Sequence, residues 1–454
     1  MRRVLMFFLV WILAGAAAHA QGLSLIRDEE IERGLAFYLT PLFREAGLKP
    51  HNMALHLVRD DSINAFAAQG LHVFVHTGLL LKADDAQEVI AVLAHETGHI
   101  SGGHIVRLYE NMRIAQRNML LSMIMGTVAA IASGRGDVGA AVAMGGMAST
   151  QGLLAGYRRT EENAADQVAV DLLRKTGHDF SGFEGIMRKL QHQESYQMSE
   201  DAVLWRTHPM VRERLAFILE KQKAELEKTL RPNRARIKKE NDMFVRMRAK
   251  LFAFIYPPER TFERYPETDK SIAARYARSI AFYRRGDFPE ALKRIDALIF
   301  DYPEDPYFYE LKGQMLFETG RAAEAVPVYE QAVRRLPDSV LLRLGAAQAQ
   351  IEADTPETLK SAMANLEFAS KKEGAEIPLI WRFLAVAYGR SGNIGMASYA
   401  LAEYNSLNGD EKQAENFARR AVDEVPYGSP AWVRAQDILE NLKNRKNGKK
   451  ERLK

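Results

Sequence analysis

Residues His95-Glu96-Thr97-Gly98-His99 spell H-E-x-x-H. On a helix the two histidines stand at i and i+4, so both imidazoles project from one face. Two nitrogens so placed can hold a zinc ion, and Glu96, beside the first ligand, can take a proton from the attacking water. A catalytic zinc needs a third protein ligand and keeps its fourth position open. The segment Glu161-Glu162-Asn163-Ala164-Ala165-Asp166 offers one. Glu162 and Asp166 are again i and i+4. One carboxylate can ligate the metal while the other hydrogen-bonds the free nitrogen of a ligand histidine and fixes its tautomer. All eleven histidines precede residue 209, which confines metal chemistry to the first half. His104 lies five positions past His99 and beyond Gly102-Gly103. Helical rotation takes it off the ligand face, so it reads as a loop or surface residue. His72 and His76 read as solvent-facing on a strand, and His178 and His192 have no partner motif.

The motif needs a helix to carry it. Asp84 reads as an N-cap with Gln87 three residues on, Val89, Ile90, Val92 and Leu93 supply an apolar lead-in, and Gly102-Gly103 ends the helix. The second pair falls on a helical stretch from Glu161 to Lys175.

Two further segments join these. Ile63-Asn64-Ala65-Phe66-Ala67 is followed by Val73-Phe74-Val75, and Thr207-His208-Pro209 follows the acidic pair. Together with H-E-x-x-H and E-x-x-A-D, in this order over about residues 40–220, they resemble the HtpX-like and CAAX-prenyl-protease superfamily of zinc metallopeptidases. The resemblance implies one zinc ion per chain, bound by His95, His99 and Glu162. It makes Glu96 the general base and Asp166 the partner that orients a ligand. His208 would stand near the metal, stabilising the oxyanion or capping the open position. Asn64, Ala65, Phe66 and Ala67 would form an edge strand that pairs with extended substrate.

Residues 1–20 read as a secretory signal: Arg2-Arg3, an apolar run from Val4 to Ala18, and an A-x-A-like site at Ala18-His19-Ala20. The chain has no cysteine, so its cores must hold without disulfides. A net charge of +4 gives no nucleic-acid signal. The stretch 119–148 is nearly all apolar, broken by Gly134-Arg135-Gly136-Asp137, and each piece is too short to span a bilayer. It reads either as two buried helices over the site or as a hairpin touching a membrane surface or apolar substrates.

In the second half, Gly286, Ala291 and Pro303 recur as Gly320, Ala325 and Pro337, an offset of 34 residues that is the tetratricopeptide period. Tyr283 and Phe317 share that offset and would fill the space between paired helices. About four helix pairs are expected from Ser271 to Leu442. Such an array binds peptide or protein segments. Tyr307, Phe308, Tyr309 and Tyr388 are candidate contacts, with core packing as their other reading.

The fold class is mainly α: an α+β zincin-type metallopeptidase domain with a small edge-strand sheet, then an α-solenoid of tetratricopeptide repeats. The divisions are 1–20 signal, 21–225 peptidase, 226–270 basic helical linker, 271–442 repeats and 443–454 basic tail. By resemblance the chain is a periplasmic zinc endopeptidase, peripheral to the outer membrane. Its partners would be misfolded or assembling outer-membrane proteins and, through the repeats, the β-barrel assembly machinery. The alternative is a chaperone or adaptor whose proteolysis is latent because His208 closes the zinc.

Overall fold

The computed structural model describes residues 24–133, 136–196, 211–226, 232–374 and 377–451. The signal segment 1–20 and Thr207-His208-Pro209 lie outside them. The described residues divide into two compact units between Phe252 and Ala253.

The first unit is a small sheet packed with helices. Strands β1 (Leu25–Ile26), β2 (Ala54–Val58), β3 (Ala65–Ala68) and β4 (His72–His76) lie in the order β1-β2-β4-β3. β2 and β4 are parallel, while β1 and β3 pair antiparallel with their neighbours, which leaves β3 on an edge. The Asn64 carbonyl accepts from the His76 N–H at 3.0 Å. By strand alternation, Asn64, Phe66 and Ala68 then turn their peptide groups toward β4, and Ala65 and Ala67 turn theirs to the free edge.

Helix α1 (Glu29–Glu45) buries Leu35, Tyr38, Leu39, Leu42 and Phe43 in the core. Helix α2 (Thr77–Lys82) leads to α3 (Ala86–Ser101), the helix that carries H-E-x-x-H. Its cap is Asp85, not Asp84: the Asp85 carboxylate accepts from the Gln87 and Glu88 N–H groups at 2.9 and 3.1 Å. Helices α4 (His104–Ser133) and α5 (Gly136–Lys175) form a long hairpin, so the second acidic pair sits well inside α5 rather than at a helix start. Helix α6 (Ser181–Tyr196) follows. Gly182 and Gly185 let it approach the first turn of α3 so closely that a Cβ would meet the Gln87 backbone at 2.2 Å or the Glu88 carboxylate at 2.6 Å. Helix α7 is Val211–Leu226, and α8 is Arg234–Ile255.

The basic helix α8 is packed into this unit. Phe244, Met247, Ala249 and Leu251 are buried, and the Tyr38 hydroxyl donates to the Glu240 carbonyl at 2.8 Å. The buried Glu240 carboxylate receives Gln87 Nε2, Arg236 Nε and the His178 ring at 3.1, 2.8 and 3.0 Å. His178 therefore has a partner, which lies 62 residues away in the chain. A buried carboxylate that gathers three donors fixes where α8 docks, because losing any donor leaves charge unsatisfied.

The second unit is helical throughout its described residues. After the short helix Pro258–Arg264 come five helix pairs rather than four: Ile272–Arg285 with Phe288–Asp301, Pro306–Glu318 with Ala322–Arg335, Val340–Ala353 with Pro356–Glu373, Pro378–Arg390 with Ile394–Leu407, and Glu411–Glu424 with Pro430–Glu451. Gly286 and Gly320 end the first helices of the first two pairs with φ of +86° and +78°, left-handed geometry that glycine adopts without strain. Ala291 and Ala325 are fully buried. Tyr329 lies where a Cβ on Gly313 or Gly345 would come within 2.8 Å, so glycine at both positions gives the ring its slot. Phe308 packs edge-on against Tyr276 at 5.0 Å, and the Tyr388 hydroxyl donates to Glu367 at 2.6 Å. Both tyrosine and phenylalanine are buried core residues, not exposed contacts.

Candidate metal centre

The site forms where α3 crosses α5. Gly98 stands between the two histidines, and a Cβ there would meet the Ala165 carbonyl oxygen at 2.7 Å and its Cα at 3.1 Å. Ala165 itself stands between Glu162 and Asp166. The near-contact of the two backbones brings both i,i+4 pairs face to face.

The donor atoms converge. His95 Nε2 and His99 Nε2 are 3.0 Å apart, and the Glu162 oxygens lie 3.3 Å from each. Donors bound tetrahedrally to zinc at 2.0–2.1 Å are separated by roughly 3.3 Å, so the spacing fits that ion. Charge fits too. Glu96, Glu162 and Asp166 are buried carboxylates, and they share the pocket with one buried cation, Arg214. With the histidines neutral, as ligands must be, two negative charges remain, the number that a divalent cation neutralises.

Each ligand histidine has a backing. His95 Nδ1 lies 2.9 Å from Asp166 Oδ1. Arg214, on α7, grips the same carboxylate, Nε to Oδ2 at 2.7 Å and Nη2 to Oδ1 at 2.8 Å, lies with Nη2 3.1 Å from His95 Nδ1, and reaches Glu162 Oε2 with Nη1 at 2.9 Å. Burial pushes the Asp166 pKa up, but Arg214 and His95 pull it down further, to about 2. Burial and Arg214 oppose protonation of His95, and its hydrogen bonds to Asp166 and Glu162 outweigh them, so its pKa is raised to about 9. His99 is backed differently. Its Nδ1 meets His104 Nδ1 at 2.9 Å, and His104 Nε2 meets Glu161 Oε2 at 2.8 Å. Arg107 holds Glu161 from outside with two contacts of 3.1 Å. His104 is thus a buried member of the site and not a surface histidine.

Glu96 points toward the sheet. Its Oε2 accepts from the Ala67 N–H at 3.0 Å, which ties the carboxylate to the free edge of β3. The strand begins at Ala65; Asn64 precedes it, buried, with Oδ1 lacking a hydrogen-bond partner among the described residues. Phe66 stacks on Phe74 at 4.8 Å. His76, expected in solvent, is buried and meets Ser62 Oγ at 2.9 Å, and His72 Nδ1 meets His56 Nε2 at 2.8 Å. His208 lies outside the described residues. Arg214, six positions on, had no short-range motif to announce it.

Residues 29–222 match the sequence model of Peptidase family M48. The first unit is similar to the peptidase domains of this family over most of its length. Residues 276–340 match a tetratricopeptide repeat model. A β-barrel assembly-enhancing protease of Yersinia pestis is 24% identical over 396 residues, covering 86% of this chain and 78% of that protein. The protein of the same name from Escherichia coli (strain K12) is 24% identical over 397 residues, covering 85% and 78%. Metalloprotease LoiP of Escherichia coli (strain K12) is 25% identical over 179 residues, 39% of this chain and 65% of that one. These matches support a metalloprotease, and the His95, His99 and Glu162 cluster is where such a protein would hold its metal.

Proposed function

We propose that this chain is a zinc-dependent endopeptidase of the periplasm, acting in the quality control of outer-membrane β-barrel proteins. The observation that carries the chemical reading is the cluster itself: two histidine nitrogens and a carboxylate at tetrahedral spacing, inside a pocket two charges short of neutral. The biological reading is supported by the names of the relatives that span most of this chain. The signal read in residues 1–20 supports export, and a location peripheral to the outer membrane goes with that reading. The repeats are suited to hold the β-barrel assembly machinery or its clients.

Zinc bound at this cluster supplies Lewis acidity toward the scissile carbonyl. The chain's own residues do the rest. Ala65 and the Ala67 carbonyl offer outward peptide groups to an extended substrate, the Ala67 N–H being held by Glu96, and Asn64 Oδ1 is a buried acceptor beside them. Glu96 Oε2, at the same edge, takes a proton from the attacking water as its oxygen bonds to the carbonyl carbon. It returns the proton to the amine nitrogen as the C–N bond breaks. Asp166 and Arg214 hold His95 while this occurs.

Glu96→Gln keeps all metal-site contacts and removes the base. It should retain one zinc per chain and lose roughly 10²–10⁴-fold in casein cleavage. Normal turnover by the zinc-replete variant would reject the mechanism.

A further inference from the structure

The α4–α5 hairpin carries an apolar surface that the peptidase reading does not use. Leu120, Leu121, Met123, Ile124, Met125 and Val128 are each half exposed or more, and at 100° per residue they spread over an arc of about 200° of α4, wider than a single narrow stripe. Val142 and Met144 on α5 are exposed as well. No Asp, Glu, Lys or Arg falls within 118–134 or 138–157. The two described hydroxyls of this stretch of α4 bond back onto the helix: Ser122 Oγ donates to the Asn118 carbonyl at 2.8 Å and Thr127 Oγ1 to the Met123 carbonyl at 3.0 Å. Turning hydroxyls back onto the helix is how a helix presents no unmet donor to hydrocarbon.

Below this shaft sits a basic collar. The Arg107–Glu161 pair links the two arms at the hairpin's base, and Arg113, Arg117, Arg158 and Arg159 are exposed just beyond it; Glu110 lies on the same stretch of α4, and Glu213 on α7 meets Arg159 at 3.9 Å. At 1.5 Å per residue the four arginines fall within about 12 Å along the hairpin axis, and residues 118–133 extend about 24 Å past them.

We propose that the hairpin inserts into a bilayer containing anionic phospholipid, with the shaft among the acyl chains and the collar on the phosphates. Charge decides against a second copy of this chain, because pairing two shafts would press four arginines against four. A protein groove would cover one narrow face of a helix, whereas the exposed apolar arc here spans about 200°. The length suits insertion without crossing. A hydrocarbon core is about 30 Å thick, so the shaft ends about 6 Å short of the far interface. Accordingly, no described helix is long and apolar enough to cross a membrane. Arg135 and Asp137, between the two apolar stretches in sequence, sum to no net charge, and Asp137, in the first turn of α5, is partnered. Glu162 lies one helical turn past Arg158, which sets the metal site at headgroup level. The proposal does not depend on what the peptidase cleaves.

The test is flotation of the full-length, zinc-loaded protein with vesicles of phosphatidylcholine and phosphatidylglycerol, and with phosphatidylcholine alone. The wild type should float with the anionic vesicles at least tenfold better than with the neutral ones. The double variant Leu120→Glu, Ile124→Glu should lose flotation with both. Arg113→Glu with Arg117→Glu should lose only the anionic preference, and both variants should keep zinc and casein cleavage in the absence of lipid. Wild-type protein that stays unbound, or Glu variants that float as well as wild type, would overturn the proposal. So would loss in the Glu variants of binding to carboxymethylated, unfolded α-lactalbumin while vesicles are ignored, which would give the shaft to polypeptide.

Discussion

At the scale of residues, the two histidines of the candidate metal cluster are held by unlike partners. If His99 Nε2 is to offer its lone pair to the metal, its Nδ1 must carry the proton and donate it to His104 Nδ1. His104 must then carry its own proton on Nε2, where Glu161 Oε2 lies 2.8 Å away to accept it. The chain of contacts sets both tautomers and ends on a carboxylate that Arg107 neutralises. His104→Ala should therefore weaken zinc binding about 10–100-fold, measured by competition with a chromophoric chelator, while thermal stability of the zinc-free protein changes little. His104→Gln, which keeps an amide at that distance, should recover part of the loss. Unchanged affinity in the alanine variant would remove His104 from the site. The cluster of His95, His99 and Glu162 was legible, because i,i+4 pairs declare their common face in the sequence. His104 was not, because the reading carried helical rotation straight through Gly102-Gly103. The chain instead turns at Gly103, with φ of +68°, and starts a new helix at His104 that brings the ring back to His99. Arg214 was hidden for another reason. It reaches Asp166 from 48 residues away, and a lone arginine on an amphipathic helix has no pattern that marks it.

At the scale of elements, the site depends on one crossing. Gly98 lets α3 touch the backbone of α5 at Ala165, and the metal ligands on both helices are spaced by that closeness. Inside a helix glycine costs about 1 kcal/mol relative to alanine, so a helix-propensity argument alone favours Gly98→Ala. The geometry gives the opposite sign. A methyl carbon at 2.7 Å from a backbone oxygen must drive the helices apart, and overpacking of this kind costs typically 1–3 kcal/mol. Gly98→Ala should lower the Tm of the zinc-loaded protein and weaken zinc at least tenfold, as Glu162 retreats from the histidines. A Tm equal to or above wild type would show that the crossing is not tight. The helices were legible wherever caps and periodicity agreed, as at α3, although the cap moved by one residue to Asp85. The repeat count was not. Gly286 and Gly320 keep the 34-residue period, but Gly392 and Gly409 close their helices, at φ of +80° and +78°, only 17 residues apart, so the last pairs lose the register by which they would be counted.

At the scale of the whole molecule, the division between Phe252 and Ala253 has a thermodynamic consequence. Every ligand of the metal and every residue that orients it lies in the first unit. A ligand stabilises only the cooperative unit that binds it, by RT ln(1 + [L]/Kd), about 4 kcal/mol when the free metal stands a thousandfold above Kd. For a unit of this size each kcal/mol moves Tm by about 2–4 °C. The repeats are held by side chains within and between adjacent helix pairs, such as Tyr329 in its two-glycine slot, and owe nothing to the metal. Scanning calorimetry of the full chain should therefore show two transitions. Chelation with EDTA should lower one by roughly 10 °C and leave the other in place. Glu162→Gln, which removes a metal ligand, should place the first transition at its EDTA position without chelator. A single transition that shifts as a whole would mean that the two units unfold together and that the metal supports the repeats as well.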